Sequence, residues 1–290
     1  MFTICLTHDV DAYYSPFSYE KILSTLIKVK PVSHILQNYP DWKTRFSNPY
    51  DTFERILEME TDYHAKSTFF FLNKGKGGSN YNFSDDPIKK IFVMLDKRGW
   101  EIALHGSYNS INNPKNLFND KKELESIIGK KVDGIRLHGL HLRIPQTFEH
   151  QRLCGFLYDT SYFGPKYGRK RINKPFYCID GLLEIPITFM DSDWQFMTDE
   201  RYNGSIDKTW NRIKQILDYC KTNEFVCTIL WHPHTFYNEN CALSKKHYSH
   251  FKGFAEIYQM ILEYGETNNA KMCPCIDVYN DYNMTLERRW

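Results

Sequence analysis

Short β-rich apolar runs alternating with amphipathic helical stretches constrain this chain more than any other feature. Seven such runs occur: Phe2–Leu6, Ser67–Leu72, Glu101–Leu104, Gly134–Leu137, Gly155–Tyr158, Leu183–Ile187 and Val226–Trp231. Helical patterns separate many of them, at Asp51–His64, Pro87–Lys97, Asp120–Ile128, Ser205–Thr222 and Lys246–Tyr264, with apolar residues at three- and four-residue spacing. Strands that alternate with helices imply a parallel sheet, because a parallel neighbour is reached only through a crossover. With seven units in 290 residues and no Pro/Ser-rich linker, one barrel-like α/β domain over residues 1–290 is expected.

The polar residues at the ends of these runs are the next constraint. His8, Asp9 and Asp11 follow the first, His105 follows Leu104, Arg136 and His138 end the fourth, and Asp159 follows Tyr158. The last run delivers Trp231, His232 and His234. In a parallel α/β barrel the C-terminal strand ends converge on one face, so residues far apart in sequence meet there.

Composition narrows what such a site would meet. The 37 basic and 35 acidic residues are mixed along the chain, for a net charge of +2, which does not suggest a nucleic-acid partner. The densest basic run, Lys166 to Lys174 with Arg169, Lys170 and Arg171, reads as a solvated loop, with the holding of an anionic substrate as the sharper alternative. Aromatic residues make up 16%, which suits a sugar-binding cleft as well as an ordinary core. No secretory pattern or membrane span is visible, so a cytoplasmic location is expected. Eight scattered cysteines without a C-x-x-C pair read as reduced, mostly buried thiols, and Cys273-Pro274-Cys275 is too cramped for the usual pair of zinc ligands. The stretch Asn73 to Asp86, with Gly75, Gly77 and Gly78, reads as a mobile loop and does not match a phosphate-cradling fingerprint.

Carboxylates and imidazoles gathered at one strand face suggest a hydrolytic metal site, since neutral imidazole nitrogen and carboxylate oxygen suit zinc or a similar divalent ion. Such an ion polarises a carbonyl and lowers the pKa of water, while a free carboxylate takes the proton. The two acids of "HDVD" could divide that labour, as residues i and i+2 face one side of a strand. A turn or helix cap is the bland alternative for an isolated D-x-D; the recurrence of His at other strand ends weighs against it.

The stretches "LTHDVD", "WEIALHGSY" and "TILWHPHTF" resemble motifs of the polysaccharide deacetylase superfamily, the chitooligosaccharide deacetylase homology domain, and more closely its divergent HDVD-bearing branch. They fall in the expected order across residues 1–236, and "GIRLHGLHLR" and "YDTSYF" also fit. The resemblance implies a distorted seven-stranded (β/α) barrel and metal-dependent removal of an N- or O-acetyl group from a carbohydrate or glycan precursor, with zinc as the ion and cobalt or nickel as substitutes. Typical members begin with T-F-D-D-G, the first Asp the general base and the second a metal ligand. Asp9 falls at the base position; Val10 occupies the ligand position, so Asp11 must shift to replace it. In the second motif, H-x-x-x-H, His105 matches the first ligand and Asn109 stands at the second, leaving Asn109 and His138 as alternatives for the third metal contact. His232 matches the general acid of the late motif, with His234 as its competitor and otherwise a substrate contact, and Arg136 matches the Arg that orients the base.

Weaker expectations concern substrate contacts. Asp159 and Asp191 could bind sugar hydroxyls or hold His232 in one tautomer, and Trp231 or Tyr108 could stack on a sugar face. The substrate is expected to be an acetylated sugar, a sugar nucleotide or a lipid-linked glycan. Three alternatives stay open: a metal-free amidohydrolase, a non-catalytic carbohydrate-binding relative, and a D-x-D glycosyltransferase.

Overall fold

The computed structural model describes residues 2–14, 48, 50–73, 79–163, 174–179, 181–193, 205–236 and 253–287. Gly75, Gly77 and Gly78, the basic residues 166–171, Cys241, and the first part of the helix expected from Lys246 lie outside the described residues.

Chain order begins with β1 (Thr3–Val10), α1 (Phe53–Asp62), β2 (Thr68–Leu72), α2 (Asp86–Arg98), β3 (Glu101–Gly106), α3 (Pro114–Ile128) and β4 (Gly134–Leu137). It continues through α4 (Gln146–Leu153), β5 (Tyr158–Asp159), β6 (Phe176–Ile179), β7 (Leu182–Glu184) and β8 (Phe189–Met190). The last elements are α5 (Ile206–Thr222), β9 (Val226–Leu230), α6 (Phe254–Thr267), β10 (Lys271–Cys273) and α7 (Cys275–Glu287). The strands form one sheet in the order β6-β7-β5-β4-β3-β2-β1-β9-β8, with β10 added beside β1. All pairs are parallel except β6 with β7.

Strands β7 and β8 are the two ends of a single bent run, 182–190. Its first half pairs with β5 and its second with β9. Between them Ile185 N–H donates to Asp159 O at 2.8 Å, and Thr188 N–H donates to Thr228 O at 2.8 Å. The run therefore bridges the two ends of the sheet and closes a distorted ring of seven staves, the seven runs expected from sequence. Strands β6 and β10 and helices α4 and α7 are additions that the sequence pattern did not reveal.

Local signals explain the helices that flank the barrel. In α2, Pro87 stands in the first turn, Ile88, Ile91, Phe92 and Leu95 form the buried stripe, and Gly99 ends the helix at φ +80°. Helix α3 starts six residues before the expected Asp120, because Asn113 caps it by accepting from the N–H groups of Lys115 and Asn116. Its first turn is mostly polar and so carried no apolar periodicity.

Strand β1 is buried along its whole length. Ile4, Leu6 and Val10 point outward into the core beneath the helices, whereas Cys5 points into the barrel with Phe70, Ala103, Tyr158, Leu183 and Ile185. The N-terminal end of the barrel is stopped by α7. Cys275 N–H donates to Thr68 Oγ1 at 2.8 Å and Ile276 N–H to Glu101 Oε2 at 3.0 Å. Cys275 and Val278 join the interior core there. Access is left at the opposite, C-terminal end. The seven described cysteines are free, as the reduced-thiol reading expects.

Candidate active site

The C-terminal strand ends border a cavity of about 790 Å³ lined by Asp9, Asp11, His105, Tyr108, His138 and His232, among others. Residues 9, 105 and 232, each from a separate part of the chain, therefore share one pocket.

Asp9 is the last inward-facing residue of β1, and Asp11 lies just past the strand end. Asp11 Oδ1 lies 3.2 Å from His105 Nε2 and 3.2 Å from His138 Nδ1, and the two nitrogens are 3.2 Å apart. Ligand atoms around a tetrahedral zinc at ~2.0–2.2 Å are about 3.3–3.6 Å from one another, so this triangle has the dimensions of one face of such a site. The tautomer also fits. His105 Nδ1 lies 2.9 Å from the carbonyl of Arg136, so the neutral ring donates there and turns a bare Nε2 to the triangle. The three residues present thus suit a divalent ion by atom type, spacing and tautomer.

Asn109 takes no part. It is exposed, and its carbonyl accepts from Asn116 Nδ2 at 3.1 Å. His138 from the neighbouring strand end stands where the third donor is needed. Gly139, at φ +68°, follows it in a turn where a Cβ would come within 2.8 Å of the Tyr108 hydroxyl. That space lets the Tyr108 ring pack edge-on against His138, with centroids 4.9 Å apart. Tyr108 is 45% exposed at the rim, where a substrate would meet it.

Electrostatics divide the acids by role. Burial opposes ionisation of Asp11, but hydrogen bonds from His105, His138 and His232 outweigh it and hold the carboxyl well below the usual range. Burial likewise disfavours the charged His105, and Asp9 and Asp11 overcome it, raising the imidazole pKa. Asp9 Oδ1 accepts from Arg136 Nη1 at 2.7 Å, while Oδ2 stays 3.6 Å from His105 Nε2. Arg136 is completely buried and held on every side: Nη1 donates to Thr7 Oγ1 at 2.8 Å, Nε to Thr160 O at 3.0 Å and Nη2 to Thr160 Oγ1 at 3.0 Å. Its guanidinium also lies over Phe70, 4.4 Å from the ring centre.

His232 enters from the end of β9. Its Nδ1 lies 2.8 Å from Asp191 Oδ1, its backbone N–H donates to Asp191 Oδ2 at 2.7 Å, and its Nε2 is 3.6 Å from Asp11 Oδ2. Burial works against the imidazolium, but Asp191 and Asp11 together lift the His232 pKa well above the ordinary histidine value. Asp191 is correspondingly held below the ordinary carboxylate value, since the attraction of His232 exceeds the cost of burial.

Four expected substrate contacts need correction. Trp231 is fully buried, its ring packed against Phe254 and Tyr258, because alternation along the strand end sends it outward when His232 faces in. Asp191 is 1% exposed beneath His232 and grips that residue twice, which matches the tautomer role and not a sugar contact. Asp159 is fully buried, accepts from Ser161 Oγ and is the register partner of Glu184. His234 sits on a short 3-10 turn between Tyr50 and His232, outside the cavity lining. His8 separates from its neighbours in the same way: its ring lies on the outer face of β1, stacked on Phe69 and bonded to Glu60. Sequence reasoning missed Glu184, Thr7 and Thr160; an acid inside the apolar run "LLEIPI" was the one available signal.

No family model matches the chain, and no curated protein does either. Solved structures do. A protein named as a polysaccharide deacetylase from Mycobacterium smegmatis superposes with a TM-score of 0.61 at 17% identity, over 98% of this chain and 90% of that one. One of the same name from Pseudomonas aeruginosa PAO1 gives 0.59 at 13% identity, over 98% and 91%. PuuE allantoinase gives 0.60 at 14% identity, over 98% and 91%. The class defined by this likeness is one of fold: the chain adopts the barrel fold shared by these proteins.

Proposed function

We propose that this protein is a metal-dependent hydrolase that removes an acetyl group from a carbohydrate or glycan precursor. The observation that carries the reading is the triangle of Asp11, His105 and His138 set beside a free carboxylate and an acid-poised imidazole in one cavity. A divalent ion held there, zinc by choice of ligands, would supply Lewis-acid polarisation of the acetyl carbonyl. Asp9, kept in place by Arg136, accepts the proton of the water that attacks the carbonyl carbon. His232, charged through its pairing with Asp191, gives its Nε2 proton to the departing amine or alkoxide as the C–N or C–O bond breaks. Acetate and the free sugar leave, and Asp9 returns its proton to solvent while His232 is recharged from it.

Tyr108 offers a ring face at the cavity rim for a sugar. An acetylated sugar, a sugar nucleotide and a lipid-linked glycan all fit the reading. No helix among the described residues is long and apolar enough to cross a membrane, and the free thiols support a cytoplasmic setting. Because PuuE allantoinase shares the fold, hydrolysis of a small amide is the second reading. The test is acetate release from a panel of N- and O-acetylated sugars with added zinc, cobalt or nickel. Turnover that appears with the ion and disappears on chelation supports the proposal; equal turnover with and without the ion, or none on any acetylated sugar, rejects it.

A further inference from the structure

Two buried acids have no step in this mechanism. Asp159 ends β5 and Glu184 ends β7, and they are register partners across those strands. Both are fully buried, and parallel register partners set their side chains on the same inward face of the sheet. Their remaining contacts fix which atoms meet. Ser161 Oγ donates to Asp159 Oδ1 at 2.6 Å, and Tyr162 N–H donates to Glu184 Oε1 at 3.0 Å. Asp159 Oδ2 and Glu184 Oε2 are buried and accept from no donor among the described residues, so these are the two oxygens through which neighbouring register partners can meet. Two bare carboxylate oxygens repel; one hydrogen between them makes a bond. Burial pushes both carboxyls above the usual range, the direction that keeps such a hydrogen in place. Arg136 on β4 is the cation whose field reaches both acids, and Cys178 on β6 is the other titratable neighbour, its thiol pushed up to about 12 by burial first.

The turn that these acids hold is the one that grips the catalytic strand end. Thr160 accepts from Arg136 through both its carbonyl and its hydroxyl, and Ser161 Oγ accepts from Leu137 N–H at 2.8 Å. We propose that Asp159 and Glu184 share a single proton and thereby act as a positioning pair, fixing the 159–162 turn that holds Arg136 against Asp9. The effect on turnover rests on the deacetylase reading; the shared proton does not.

Amide substitutions separate this arrangement from a merely buried polar contact. In Asp159→Asn the amide Nδ2 takes the place of the protonated oxygen and donates to Glu184, while Oδ1 still accepts from Ser161. Glu184→Gln does the same in reverse. Each single variant therefore keeps every bond. The double variant sets two NH2 groups against each other, and relief by flipping one amide gives up the bond to Ser161 or Tyr162. Expected results are single variants with kcat within about threefold of wild type, and a double variant whose kcat falls by up to about 10²-fold with KM little changed, the scale of a misplaced catalytic group.

Infrared spectroscopy reads the proton without any substrate. At pH 9, where the buried Glu101 carboxyl, pushed up to about 7, has given up its proton, a protonated-carboxyl stretch should be present in the wild type and lost in each single variant. Stability gives a second such reading: acids with raised folded-state pKa values cost the wild type stability as pH climbs above the ordinary carboxylate range, and each single variant should lose that slope. Should the double variant fail to fold, these two measurements on the wild type and single variants still decide. No shared-proton band in the wild type, or single variants as impaired as the double, overturns the proposal. Absence of acetate release with the band and the slope present would sink the deacetylase reading alone.

Discussion

The two faces of β1 carry nearly the same chemistry and put it to different ends. On the outer face His8 Nε2 lies 2.9 Å from Glu60 Oε1, which also accepts from Tyr258 Oη at 2.7 Å, while Glu60 Oε2 accepts from Trp100 Nε1 at 2.5 Å and Ser67 Oγ at 2.9 Å. His8 Nδ1 faces the Trp231 carbonyl at 2.9 Å. The polar atoms of this cluster are answered by protein, and His8, Glu60, Ser67, Trp100 and Tyr258 are all buried. One residue further, Asp9 keeps an oxygen turned to the pocket, and Asp11, His105 and His138 bring three ligand atoms to within 3.2 Å of one another at its wall. The lesson is that acid, imidazole and aromatic ring make a structural knot when each donor meets an acceptor. The same groups line a cavity when their polar atoms converge on open space instead.

The sharpest way to test that contrast is Asp9→Asn. Deacetylation should fall about 10²–10⁴-fold, the range for loss of a general base, with Arg136 left facing a neutral amide. Acetate release at saturating substrate, with circular dichroism to check folding, measures it; retained activity would move the base elsewhere. Next come His105→Ala and His138→Ala, each expected to weaken zinc binding by more than the roughly 10–100-fold typical of removing an outer partner, with Asn109→Ala unchanged. Isothermal titration with zinc separates the three, and a large loss in Asn109→Ala would restore that residue to the site.

On the opposite face, Glu60→Gln should cost about 1–3 kcal/mol of stability, since the amide can no longer accept from all four donors, yet leave kcat within about twofold. Denaturant midpoints and turnover on the same sample decide; a kcat loss as large as that of Asp9→Asn would erase the distinction between the faces. The last test falls on the barrel floor. Burial pushes the Glu101 carboxyl to about 7 despite bonds from Thr68, Tyr158 and Ile276. A folded-state pKa above the unfolded value means that the folded state holds the extra proton between about pH 4.5 and 7. Stability should therefore decline as pH rises through that window, by at most about 1.4 kcal/mol for each unit of the raised pKa, and Glu101→Gln should remove that part of the slope. Chemical denaturation at intervals from pH 5 to 8 reads it.

Much of this was legible in the sequence because the signals were local. Seven apolar runs became the seven staves, since each needed only its own residues and flanking helix to announce it. Asp9, Asp11, His105, Arg136, His138 and His232 were legible because each sits at the C-terminal end of such a run. The contacts made by their side chains were not. Whether Trp231 or His232 enters the pocket depends on where alternation breaks after β9, and a single Pro233 obscures it. Asp159 was expected to meet sugar hydroxyls or His232 because its register partner Glu184 stands 25 residues later, in a run counted among the apolar ones. Strand β10 and helix α7 were missed because three residues are too few for periodicity, and Cys273-Pro274-Cys275 suggested only punctuation.

The bent run 182–190 leads directly into Asp191, so the stave that shuts the ring also carries the residue that orients His232. Joinery and the orientation of His232 are thereby coupled. A molecule seated against His232 would brace the seam between β8 and β9, and a seam that starts to part would swing the imidazole off line while the rest of the barrel still stood.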